Sequence, residues 1–224
     1  MSVAIFARTG AILMNGPELL RYARVHRGGA VLAGTAFVAL LSAFFGGVHI
    51  SLPSIGSGGV TTGVPYRHEL PLLSAVFLTA TLDGALSAHE EMGTPTMYRF
   101  RAAYCISLTL TACAFSFGAE ALAVRPADGV VFVRSILIWL GLSLLSVRLL
   151  GQQLSWAIPL ASTLFLIWYP LYWWDWTASS PSDLFSWAAA AIALSIGVGA
   201  TATTPWRRKV WLRRRKPPVK ATSV

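Results

Sequence analysis

The residues with the most chemistry to offer lie in one short link, Asp83 to Arg101, "DGALSAHEEMGTPTMYRFR". It holds adjacent carboxylates at Glu90 and Glu91, a Gly93-Thr94-Pro95 break, the phenol of Tyr98 and the cations Arg99 and Arg101. Paired carboxylates serve acid–base catalysis only when a nucleophile, base or metal ligand faces them. Here no histidine motif follows in a later apolar run to face them. Ser57, set between Gly56 and Gly58, has no partner histidine in a later apolar run. His26, His49, His68 and His89 fall on both faces of the expected membrane layout and cannot converge on one metal. Glycine-rich phosphate cradles are absent from the links, so no catalytic residue, cofactor or metal is expected on this chain. Cys105 and Cys113, eight residues apart in one expected helix, are separated by roughly 12 Å along its axis and cannot pair.

The surroundings of the link are apolar. The 224 residues are 55% hydrophobic and 12% charged, with mean hydropathy +0.61; soluble domains carry about 25% charged residues. Requiring about 20 apolar residues per crossing predicts six spans, at 29–49, 70–88, 102–123, 130–150, 155–174 and 184–204. Each is expected to be helical, because a helix satisfies its own backbone in lipid and the period-2 pattern of barrel strands is missing. The expected fold class is therefore all-α: a polytopic membrane protein with a cytoplasmic segment (1–28), a six-helix domain (29–204) and a basic tail (205–224). Asp83 is an acid well inside the second span, a position that marks a functional residue by default. Gating or helix packing is the expected role, ahead of proton coupling.

The net charge of +9 is explained by position and implies no nucleic-acid partner. With both termini cytoplasmic, the inner side holds 15 of the Lys and Arg residues and the outer side only Arg67, Arg125 and Arg134, as the positive-inside rule requires. No cleavable signal peptide is expected, since Arg8 interrupts the opening apolar stretch. Residues 15–29, "NGPELLRYARVHRGG", read as a short helix on the cytoplasmic interface. Pro17 and Glu18 suit its start, Arg21, Arg24 and Arg27 reach lipid phosphates, and Gly28-Gly29 break it. The outer link 50–69 is expected to be an extended Gly-, Ser- and Pro-rich loop. The tryptophans around Asp175 and Asp183 are expected to form an interfacial belt, with a turn dipping back into the headgroups as a further option.

This ensemble resembles the membrane subunit of an ATP-binding-cassette exporter of the type-2 permease family. The resemblance rests on the basic helix before six spans and on Glu90-Glu91-Met-Gly93-Thr94 followed by Tyr98, Arg99 and Arg101. It implies that the link carries a coupling helix docking on a separate nucleotide-binding ATPase subunit, which holds the ATP and Mg. It further implies a second permease copy or homologue, a cell-membrane location among membrane lipids, and outward movement of an amphipathic peptide, lipid-like or drug-like substrate. A stand-alone secondary carrier or a membrane scaffold is the alternative, though the two halves show no convincing internal similarity.

Overall fold

The computed structural model describes residues 23–24, 27–53, 61–81, 95–168, 175–177 and 179–202. Among the described residues, six helices occur, one at each expected place: α1 (Gly28–Phe45), α2 (Tyr66–Ala80), α3 (Pro95–Ala123), α4 (Pro126–Leu150), α5 (Ala157–Trp168) and α6 (Leu184–Ala202). Four of them, α1, α3, α4 and α6, are long and apolar enough to cross a membrane. α2 and α5 are shorter as described, and their remaining expected positions, 82–88 and 169–174, lie outside the described residues. Among the described residues the regular structure is thus helical apart from one antiparallel hairpin, β1 (His49–Pro53) with β2 (Thr61–Pro65), in register His49 to Pro65 and Pro53 to Thr61. That hairpin corrects the expected extended loop. Its strands also draw Tyr66 into the chain turn, through a Tyr66 N–H to Val48 carbonyl bond of 3.1 Å, so that α2 starts four residues before the apolar run.

Local sequence explains the helix ends. Pro126 stands in the first turn of α4, after an extended Arg125, and Asp128 adds negative charge where the helix dipole favours it. Gly151, at φ 94°, supplies the left-handed residue that ends α4. A single 3-10 turn (Gln152–Leu154) then leads to α5. It is tied to the far end of α2 by the Gln152 side chain, which donates to the Thr79 carbonyl at 2.8 Å. α6 is capped by Asp183, whose Oδ2 accepts from the Ser186 amide (3.1 Å) and hydroxyl (2.5 Å). Those two donors hold the Asp183 carboxyl below its ordinary range.

Four helices form a ring. α1 packs on α2 and α3, and α4 packs on the same two, which leaves α2 and α3 facing each other across the interior. α6 and α5 lie on α4. α4 is the hub: 61% of its most apolar stretch is buried within the protein, against 22% for α3 and 17% for α6. Its Phe132, Ile136 and Trp139 are fully enclosed. The α4–α6 crossing is close because Gly141 has no side chain; a Cβ there would sit 2.3 Å from the Ala193 backbone. Such small-residue crossings are how helices gain packing in lipid, where no hydrophobic effect drives them together. Around the ring, Phe37 and Phe44 of α1, Leu110 and Phe115 of α3 and Ile192 and Ile196 of α6 are exposed. An apolar girdle of that extent needs lipid or protein against it.

The expected helix break at Gly28-Gly29 is displaced. Arg27 itself takes the left-handed conformation (φ 53°, ψ 29°), and both glycines belong to the first turn of α1. Gly28 is needed for another reason: a Cβ there would meet the Tyr104 hydroxyl of α3 at 2.6 Å. The starts of α1 and α3 are thereby packed at one end of the ring.

Candidate functional site: a mixed-charge cavity

The opposite end of the ring is where α1 and α3 finish and α2 and α4 begin. There Arg67 Nε lies 2.9 Å from a carboxylate oxygen of Glu120, across the interior from α2 to α3. Glu120 is 0% exposed. A buried carboxylate without a cation would be costly in this surrounding, so the pair fixes how the two helices end. The turn after α1 makes room for it: the Arg67 amide donates to the Gly46 carbonyl at 3.2 Å. A Cβ on Gly46 would crowd Arg67 at 3.1 Å and the Ser42 carbonyl at 2.3 Å. Pro71, buried one turn along, removes the N–H that would otherwise bond the Arg67 carbonyl.

Beside this pair is a cavity of about 240 Å³ lined by Arg67, His68, His49, Asp128, Ser135 and Thr177, with Gly46, Gly47, Val131 and Phe132 completing the wall. Asp128 Oδ2 stands 3.9 Å from Arg67 Nη1, beyond hydrogen-bond contact. His68 and Glu69 precede the apolar run that begins at Leu70. Burial pushes the His68 imidazole below its ordinary value, with the Asp175 charge opposing. Burial likewise pushes Glu69 up to about 7, against the pull of the nearby Thr163 hydroxyl.

The link between α5 and α6 closes over this end. Arg134, 0% exposed on α4, donates to the carbonyls of Ser180 (2.7 Å), Trp176 (2.8 Å) and Ser179 (2.9 Å), and to the Ser179 hydroxyl (3.0 Å). The Ser179 hydroxyl meets that of Ser186 at 2.6 Å, which continues to Asp183. A buried guanidinium is thus solvated by loop carbonyls in place of water, and the loop is held inward. Trp176 comes with it and packs edge-on against Trp139, ring centres 5.6 Å apart. Trp176 of the expected belt is partly buried and packs against the core; Trp173 and Trp174 lie outside the described residues.

Of the residues singled out from sequence, Glu18, Arg21, Asp83, Glu90, Glu91 and Gly93 lie outside the described residues. Tyr98 and Arg99 fall in the first turns of α3, and Arg101 is half-buried on the same helix. Arg24 is helical and exposed, and Arg27 is exposed in the turn before α1. These cations belong to the Tyr104–Gly28 end, away from the cavity. Sequence reasoning left Arg67, Glu120, His68 and Arg134 out of any site. The available signal was Arg134 inside the apolar run 130–150, together with Glu120 near the end of another. Among the described residues, no three His, Cys, Asp or Glu side chains are grouped to hold a metal. No family model, curated protein or solved structure matches the chain.

Proposed function

We propose that this chain is the permease subunit of an ATP-binding-cassette exporter, a six-span membrane protein with both termini cytoplasmic. It works as a dimer with a like chain, driven by separate ATPase subunits that hold ATP and Mg and dock on the link ending at Arg101. The observation that carries this reading is the continuity of α3. One unbroken helix runs from Pro95, at the end of the polar link, to Glu120, in the ion pair at the far end. At 1.5 Å per residue that distance is about 38 Å, enough to cross the hydrocarbon. A push on Tyr98, Arg99 and Arg101 is a push on a rigid rod whose other end grips α2. Glu90 and Glu91 supply charge for the partner, and Glu18, Arg21, Arg24 and Arg27 anchor the interface beside it.

The test is a pull-down from membranes co-expressing the ATPase encoded nearest to this chain. Charge reversal of Glu90→Lys with Glu91→Lys leaves insertion intact and abolishes capture of the ATPase. Equal capture by the reversed protein overturns the assignment. A stand-alone carrier is the competing reading, and the mixed-charge cavity is the feature that favours it. Uptake that survives ATP depletion and collapses with an uncoupler decides for the carrier.

A further inference from the structure

The cavity beside Arg67 has a composition that points to its own ligand. It is lined by one fixed cation, Arg67, and one fixed anion, Asp128, so a simple ion of either sign meets a repelling charge. The two do not satisfy each other, standing 3.9 Å apart. Glu120 lies against the Nε edge of the guanidinium, and a guanidinium carries five N–H donors in a planar fork. Asp128, with its side chain 34% exposed, faces the same space. A molecule bearing an ammonium and an anionic oxygen group on neighbouring atoms meets both residues from one side, exchanging a long ion pair for two short ones. Val131 and Phe132 offer an apolar wall, and the hydroxyls of Ser135 and Thr177 offer further polar contacts.

Size narrows the class. A volume of about 240 Å³ is below the roughly 300–1,000 Å³ of pockets for drug-sized ligands. We propose that this cavity binds a small zwitterion of amino-acid size, its anionic group on Arg67 and its ammonium on Asp128. Free amino acids with short apolar side chains carry that chemistry, and so does the headgroup of an ethanolamine phospholipid. The inference needs only the cavity and is independent of the ATP-driven reading.

Binding is measured by calorimetry on the full chain in detergent, with L-valine and glycerophosphoethanolamine as the two zwitterionic probes. Acetate and isopropylammonium serve as the single-charge controls. The expected result is saturable heat for at least one zwitterion and none for either control at the same concentration; the tighter zwitterion identifies the source as free solute or headgroup. Asp128→Asn removes one charge-assisted contact and weakens binding by about tenfold or more. Asp128→Lys is the second variant: the side chain lines the cavity and is 34% exposed, so the reversed charge reaches solvent while the ammonium of either zwitterion meets a cation. Both variants are checked for monodisperse elution and unchanged melting. Acetate binding as tightly as valine, absence of binding by both zwitterions at millimolar concentration, or binding that ignores Asp128→Lys overturns the proposal.

Discussion

Replacing Arg67 by leucine strips the partner from a carboxylate that is 0% exposed, whereas replacing Glu120 leaves a guanidinium that is 20% exposed and has Asp128 at 3.9 Å. The two halves of one ion pair should therefore not cost the same. Breaking a buried pair by removing one member costs about 3–5 kcal/mol, and Arg67→Leu belongs at that level. Glu120→Leu falls lower, at about 1–3 kcal/mol, because water and a second carboxylate take over part of the guanidinium's solvation. The double variant removes both charges and puts two apolar side chains together, so it recovers most of the Arg67→Leu loss. The coupling energy from the cycle is then about 2 kcal/mol or more, far outside the scatter of independent sites. The assay is equilibrium unfolding of the purified chain in mixed micelles, followed by tryptophan fluorescence. Trp139 lies in the core and Trp176 packs against it, so both report on the same bundle. If Glu120→Leu proves the costlier single change, or if the double variant equals the sum of the singles, the pair is not the tie between α2 and α3 that the geometry indicates.

Three further outcomes follow from the packing. Gly141→Ala forces α4 and α6 apart, since its Cβ would lie 2.3 Å from the Ala193 backbone; a loss of about 1–3 kcal/mol is expected in the same unfolding assay, and an unchanged midpoint would refute it. Arg134→Leu frees the loop at 176–180 from its four hydrogen bonds, so limited proteolysis cuts there many times faster than in wild type, and Arg134→Lys, lacking the planar fork, restores protection only in part. Glu69, raised from 4.5 to about 7, binds its proton more tightly folded than unfolded. Its contribution is full below pH 4.5 and is lost as pH rises to about 7, and in Glu69→Gln that pH-dependent fall of the melting temperature is flattened.

The helix positions were legible from hydropathy because length and apolarity alone fix where a chain crosses lipid, and the six described helices start or end within a few residues of those runs. What hydropathy missed is what depends on contacts between distant segments. Residues 49–65 carry glycine, serine and proline in plenty, and composition suggested a loop; the pairing of His49–Pro53 with Thr61–Pro65 depends on the two ends being brought together by α1 and α2. Arg134 was assigned to the outer face by counting charges, and its side chain turns into the protein because the carbonyls of Trp176, Ser179 and Ser180 offer better solvation than a headgroup reached through lipid. Gly28 read as a helix breaker, and its actual use, admitting the Tyr104 hydroxyl, needs a neighbour that sequence spacing cannot name.

On the proposed exporter reading, in which a partner displaces the link, those distant contacts decide how force would pass through the molecule. α2 and α3 flank the polar link, and they face each other across the ring with α1 and α4 between them. A helix pair packed along its whole length would absorb a displacement of the link by sliding as one unit. A pair joined chiefly at its far end behaves differently: the Arg67–Glu120 contact acts as a pivot, and any change in angle between the helices at the link must be taken up at that contact or by α4, which touches both. The cavity with Asp128, Ser135 and Thr177 sits against that pivot. A ligand drawing Arg67 toward itself lengthens the bond to Glu120, and a movement of α3 that lengthens the bond frees Arg67 for the ligand. By linkage the two effects are equal in free energy. Valine or glycerophosphoethanolamine affinity should accordingly rise in Glu120→Gln, which loosens Arg67 while leaving Asp128 in place. An affinity lowered by that substitution would separate the cavity from the pivot.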